Sequence, residues 1–132
     1  MSTKIQSAND SLKGYHGGEQ LFFSPVTKIN YTEGVREIAK KTESYWFLDI
    51  IASYQSKLKN EHFQVWKLER ELAYTMVNGF KNIVQRKDCF NVICEDGNDN
   101  VLISQKIPFS DFCFDVYTLW YVNKVLLLPV EY

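Results

Sequence analysis

Asn91-Val92-Ile93-Cys94-Glu95-Asp96-Gly97-Asn98-Asp99-Asn100-Val101-Leu102-Ile103-Ser104 decides the fold class. Two apolar runs with β-branched residues flank an Asp-Gly and Asn-rich turn, and such turn residues accept the positive φ that a tight hairpin demands. The pattern returns near the C-terminus, where Tyr117-Thr118-Leu119-Trp120-Tyr121-Val122 can lie against Val125-Leu126-Leu127-Leu128. These runs read as antiparallel strands without a catalytic residue set, so this part of the chain is scaffold.

Upstream, His62 to Leu68 alternates: Phe63, Val65 and Lys67 fall on one side and His62, Gln64, Trp66 and Leu68 on the other. That is a strand with two partly apolar faces. Glu69 to Asp88 is ambiguous, because Leu72, Ala73, Met76 and Val77 allow a helix, whereas Tyr74, Thr75, Asn78-Gly79 and Ile83-Val84 favour a hairpin. The turn and β-branched signals tip it toward extended structure. Pro108 cannot donate to a central ladder and so ends a strand or marks an edge.

Two helices precede the strands. Thr32 is a candidate N-cap, with Glu33 and Glu37 at the positive end of a helix and Lys40-Lys41 at its negative end; Val35, Ile38 and Ala39 form its apolar stripe. A second helix, from about Ser44 to Lys59, places Phe47, Ile51, Tyr54 and Leu58 in one core-facing row, widened by Trp46 and Ile50. Asp49 beside that row is expected at the rim, since a buried carboxylate is costly unless paired. Residues 1–20 are polar and broken by Gly14-Tyr15-His16-Gly17-Gly18, which predicts an N-terminal arm; Leu21-Phe22-Phe23 anchors a single domain over 21–132. The expected fold is α+β, a helical pair packed on one face of an antiparallel β-sheet of about five strands, in the order α-α-β-β-β-β-β.

The 132 residues suffice for one core, and 45% hydrophobic with 23% charged residues is ordinary for a globular chain. A formal net charge of −1 provides no overall field to hold a polyanion. Twenty Phe, Tyr and Trp residues supply core volume, and any left outside favour a protein contact surface. Cys89, Cys94 and Cys113 are an odd set without paired ligand spacing, which fits reduced thiols in a cytosol. The first residues lack the apolar segment of a secretory signal and no run is long enough to span a bilayer, so a cytoplasmic location away from membranes is expected.

Catalytic chemistry finds no motif. The Gly14–Gly18 stretch lacks the following lysine of a phosphate-cradling loop. Cys89 and Cys94 are too isolated for a zinc set, and Glu95, Asp96 and Asp99 lack the terminal ligand of a calcium loop. Cys94 or Cys113 with His62 and Asp49 could be assembled into a triad only on paper. No enzyme, metal or cofactor is expected. The basic residues are more suggestive: Lys57 and Lys59 close the second helix, and Lys81, Arg86 and Lys87 interleave with Phe80 and Phe90. Cations beside aromatics suit single-stranded nucleic acid or a phosphate-rich groove.

Five blocks occur in order: Tyr31-Thr32-Glu33-Gly34-Val35; Tyr45-Trp46-Phe47-Leu48-Asp49-Ile50-Ile51-Ala52-Ser53-Tyr54-Gln55; Phe63-Gln64-Val65-Trp66-Lys67-Leu68; Gln105-Lys106-Ile107-Pro108-Phe109-Ser110-Asp111-Phe112; and Val125-Leu126-Leu127-Leu128-Pro129-Val130-Glu131-Tyr132. Over residues 21–132 the chain thereby resembles a family of small uncharacterised bacterial proteins often carried on phages, plasmids and other mobile elements. That resemblance transfers no catalytic residue. It departs from the family pattern between Arg70 and Cys89, where a longer basic and aromatic segment intervenes. By analogy with small mobile-element proteins, the resemblance implies a non-enzymatic inhibitor of a host defence complex, an anti-CRISPR protein acting on an RNA-guided ribonuclease and its guide RNA. Lys57, Lys59, Phe80, Lys81, Arg86 and Lys87 are the candidate partner-binding residues. The alternative is an accessory module binding RNA, DNA or a small ligand. Sheet edges and exposed aromatics also leave a homodimer open.

Overall fold

Thr32 caps the first helix as its sequence requires: its Oγ1 accepts the Val35 N–H at 3.3 Å, and Lys40 and Lys41 occupy the last turn. A computed structural model describes residues 5–12, 21–25 and 28–132. Two short strands, β1 (Leu21–Phe23) and β2 (Asn30–Thr32), lead into α1 (Glu33–Thr42) and α2 (Tyr45–Ser53). Five further strands follow: β3 (Phe63–Val77), β4 (Phe80–Glu95), β5 (Val101–Ile107), β6 (Val116–Val122) and β7 (Val125–Leu127). They form one mixed sheet in the order β1-β2-β7-β6-β3-β4-β5.

The fold is α+β, but the sheet has seven strands where about five were expected, and it is not wholly antiparallel because β2 pairs with β7 in parallel. β1 and β2 are three residues each, too short for alternation to announce them. The ambiguous Glu69–Asp88 stretch is extended: it forms the outer halves of β3 and β4, which are 15 and 16 residues long. Their turn, Asn78-Gly79, has φ of 52° and 82°, as a two-residue hairpin with two positive φ values needs. The second helix stops at Ser53 rather than near Lys59 and gives way to a 3₁₀ turn at Gln55–Lys57. There Gln55 leaves the helical pattern to exchange amide hydrogen bonds with Gln64, at 2.8 and 2.9 Å.

One face of the sheet is closed. Trp66, Leu68, Phe90, Val92, Cys94, Tyr117, Leu119, Leu126 and Leu128 are buried with Val35, Ile38, Ala39, Phe47, Leu48 and Ile51 of the helices. Register explains why those strand residues share a face: Trp66 lies opposite both Cys94 and Leu119, and Leu68 opposite Val92 and Tyr117. Phe47 packs against Tyr117 with centroids 5.6 Å apart, and Tyr54 against Trp66 at 6.0 Å. Asp49 is exposed. Pro108 immediately follows β5, one of the two edge strands of the sheet.

Within the stretch expected as a polar arm, Ala8–Leu12 forms a 3₁₀ turn, and Asn9 exchanges hydrogen bonds with the Thr118 backbone at 2.7 and 2.8 Å. Ala8 is fully buried. The glycine-broken segment 14–18 lies outside the described residues. No helix is long and apolar enough to cross a membrane, among the described residues.

Candidate functional site

The outer half of the β3–β4 hairpin stands away from the sheet. β6 pairs with β3 as far as Glu69, and β5 pairs with β4 as far back as Phe90. Beyond those positions β3 and β4 pair with each other alone among the described residues. From Leu72 to Val77 this ribbon extends roughly 20 Å at ~3.3 Å per residue. Cross-strand partners assign its faces: Leu72 with Arg86, Tyr74 with Ile83 and Met76 with Lys81 on one side, Thr75 with Asn82 and Val77 with Phe80 on the other. Near its end, Phe80 is 73% exposed, Met76 61% and Val84 53%. Tyr74 and Val77 are also exposed, whereas Ile83 is buried. Lys81 lies over the Tyr74 ring at 5.2 Å. Apolar side chains held out on a projecting ribbon are the kind of surface that soluble proteins keep for a partner.

A two-stranded ribbon is marginal by itself, and its base carries a clamp. Asp115 is 1% exposed and receives Arg86 Nε at 3.1 and 3.2 Å. Arg70 Nε lies 3.2 Å from the same carboxylate, close enough for Coulombic attraction but not aligned to donate. The Arg70 guanidinium donates instead to the carbonyls of Lys87, Phe112 and Phe114, and stacks on Phe90 at 4.6 Å. The Gln6 N–H donates to Asp115 Oδ2 at 2.8 Å, so the N-terminal segment closes the same cluster. Burial of the charges is offset by pairing and hydrogen bonding, which such a site requires. Nearby, the Cys89 thiol donates to Glu71 at 3.1 Å; this hydrogen bond, and then the Lys106 charge, hold the Glu71 carboxyl below its ordinary value, while the same hydrogen bond and burial raise the thiol.

The structure does not gather the six basic and aromatic candidates into one patch. Phe80 and Lys81 sit together at the ribbon tip. Lys87 is exposed near the base, and Arg86 is engaged by Asp115. Lys57 and Lys59 lie before the start of β3, the end opposite the tip, on the order of 40 Å away along a strand at ~3.3 Å per residue. Lys57 lies over the Tyr54 ring, and Lys59 lines a cleft with Lys28 and Lys124. Sequence reasoning missed Tyr74, Met76 and Val84 as surface residues, and Arg70 and Asp115 as the clamp. Asp115 did carry a signal: it is the lone carboxylate in Phe112-Cys113-Phe114-Asp115-Val116-Tyr117, where burial demands a cationic partner.

Thiolate chemistry has little support at Cys94, whose thiol is pushed up to about 12, first by burial and then by Glu61, Glu95 and Asp96. No cluster of three or more His, Cys, Asp or Glu side chains suited to a metal ion occurs among the described residues.

These features define an α+β sheet protein with a clamped, projecting hairpin. The chain belongs to the Family of unknown function (DUF6876), whose model matches residues 6–132. No curated protein and no solved structure matches it.

Proposed function

We propose that the protein acts by binding rather than catalysis, and that the β3–β4 ribbon is its docking surface for a macromolecular partner. The observation that carries this reading is the exposure of Tyr74, Met76, Val77, Phe80 and Val84 on a ribbon held at its base by the Arg70–Asp115–Arg86 cluster. Paired strands already have an ordered backbone, so docking costs side-chain rather than backbone entropy, and aromatic residues and methionine are enriched in protein interfaces. The resemblance to mobile-element proteins directs the reading to a host defence complex, with an RNA-guided ribonuclease inhibited by occlusion. The accessory nucleic-acid module is less favoured, because Lys81 is the tip's one cation amid apolar groups and the chain's net charge is −1.

The test is a tagged pull-down from lysates containing RNA-guided nuclease complexes, with and without RNase, followed by a nuclease assay. Capture that survives RNase, inhibits the nuclease and is lost in Met76→Ser/Phe80→Ser supports the reading. RNase-sensitive capture supports the nucleic-acid module. Light scattering adds a further arm: a particle of twice the 15.5 kDa chain mass that the same double variant returns to monomer would identify a second copy as the ribbon's partner. Charge reversal at Arg86 is a poor test, because it would leave Asp115 buried beside a like charge.

A further inference from the structure

Three strand starts converge at the end of the sheet opposite the ribbon. Parallel β2 and β7 begin side by side, with Asn30 opposite Val125, and Phe63 at the start of β3 lies opposite Val122 at the end of β6. The segments entering these strands enclose a cleft of ≈ 710 Å³. Lys28, Lys59 and Lys124 line it with His62 and a single carboxylate, Glu61. Three lysines against one glutamate make the lining +2 with His62 neutral, on a chain whose net charge is −1. No hydrogen bond or ion pair engages any of the three ammonium groups among the described residues.

The backbone makes this placement more pointed. Lys28 and Lys124 have φ of 62° and 66°, in the left-handed region where glycine or asparagine is cheaper. Asn123, which shares the β6–β7 turn, has φ of 51° and also lines the cleft. The turns would form more readily with Gly at both lysine positions, so backbone geometry does not account for lysine there. Glu61 is the one carboxylate of the lining among the described residues, so two of the three positive charges have no counter-ion there, and a multivalent anion would neutralise them.

We infer that this cleft is a binding site for a small phosphate-bearing polyanion, held by Lys28, Lys59 and Lys124 with the His62 imidazole and Asn123 amide at its margin. Lysine ammonium groups act as adjustable point charges and bind phosphate without the fixed planar fork that arginine offers carboxylates. The volume lies within the range of about 300–1,000 Å³ usual for small-molecule sites. The inference is independent of the ribbon's role, since the two sites occupy opposite ends of β3 and share no residue.

Titration of the whole protein with tripolyphosphate, followed by calorimetry and amide chemical shifts, tests the assignment. Saturable one-to-one binding is expected, with shifts centred on residues 28, 59–62 and 121–124. Lys59→Gln/Lys124→Asn should weaken binding about tenfold or more, while Lys81→Gln on the ribbon leaves it unchanged. Asn accepts the left-handed backbone, so the turn survives, and Lys28→Asn provides a second variant of the same kind. Absence of saturation at low salt, or equal affinity in the cleft variants, would overturn the site. Equal affinity for citrate would overturn the phosphate assignment. Binding of a single-stranded RNA oligomer without binding of tripolyphosphate would replace it with a nucleic-acid track.

Discussion

Asp115 is the residue on which the ribbon's geometry turns. Its carboxylate is the common neighbour of Arg70 and Arg86, and its own backbone joins Gln6 and Arg70 through hydrogen bonds of 2.7 Å. Asp115→Ala leaves Arg70, whose side chain is 8% exposed, with only the exposed Asp88 carboxylate, 3.5 Å away, as an ionic partner. Loss of one partner from a buried ionic cluster is expected to cost about 3–5 kcal/mol, read as a fall in the urea midpoint. A loss below about 1 kcal/mol, the value of an exposed ion pair, would show that the cluster does not hold the ribbon. Other buried groups predict an alkaline limit. Cys94 is raised from 9.0 to about 12, chiefly by burial; Tyr117 and Tyr121 are also raised by burial. Each folded group keeps a proton that the unfolded chain releases, so its stabilisation is fully present below the unfolded value and is lost as pH rises through the folded one. The urea midpoint should therefore decline above about pH 9 toward pH 12. Cys94→Ala should shrink the first part of that decline, and an unchanged profile would remove Cys94 as a cause.

At the scale of elements, α1 shows where local propensity and packing conflict. Alanine ordinarily favours a helix over glycine by about 1 kcal/mol, which would predict that Gly34→Ala stabilises the protein. A Cβ at Gly34, however, would meet Leu128 Cδ1 at 2.9 Å and both Glu131 carboxylate oxygens at 3.0 Å. Glu131 cannot swing aside freely, because its Oε1 accepts from Thr32 Oγ1 at 2.7 Å and from the Leu128 N–H at 2.9 Å. Gly34→Ala is thus expected to lower stability by about 1–3 kcal/mol, the usual range for overpacking; a higher melting temperature would mean that the C-terminal turn yields. This conflict also shows what the sequence could convey. Thr32 as N-cap, the row from Phe47 to Ile51, and the hairpins at Asn78-Gly79 and Asp96-Gly97 were legible because they follow local periodicity and turn chemistry. β1, β2 and the parallel β2–β7 pairing were not, since three-residue strands have no period and the parallel pairing joins residues 95 positions apart. The dispersal of the six candidate residues was not legible either: Lys57 and Lys59 precede a 15-residue strand that carries the chain far from them before Phe80 and Lys81 appear.

Across the whole molecule, a near-neutral chain separates an apolar surface from a cationic one along the length of β3. The ribbon offers Phe80, Met76, Val77 and Val84, while the far cleft concentrates three lysines. These surfaces should respond oppositely to salt. Exposed charges more than a Debye length apart are screened, and that length falls from about 10 Å at 0.1 M to about 3 Å at 1 M, whereas burial of apolar surface is not weakened by such screening. A partner captured through the ribbon should consequently remain bound in a wash at about 0.5 M salt, while tripolyphosphate leaves the cleft. Distance makes the two effects separable in variants as well: Met76→Ser/Phe80→Ser should abolish partner capture without changing tripolyphosphate affinity, and Lys59→Gln/Lys124→Asn should do the reverse, because sites without shared partners behave additively. If the ribbon variant also altered anion binding, the rigid strand between them would be transmitting strain. If salt released the macromolecular partner, charge rather than the exposed aromatic and aliphatic groups would be holding it, and the ribbon would cease to be the docking surface.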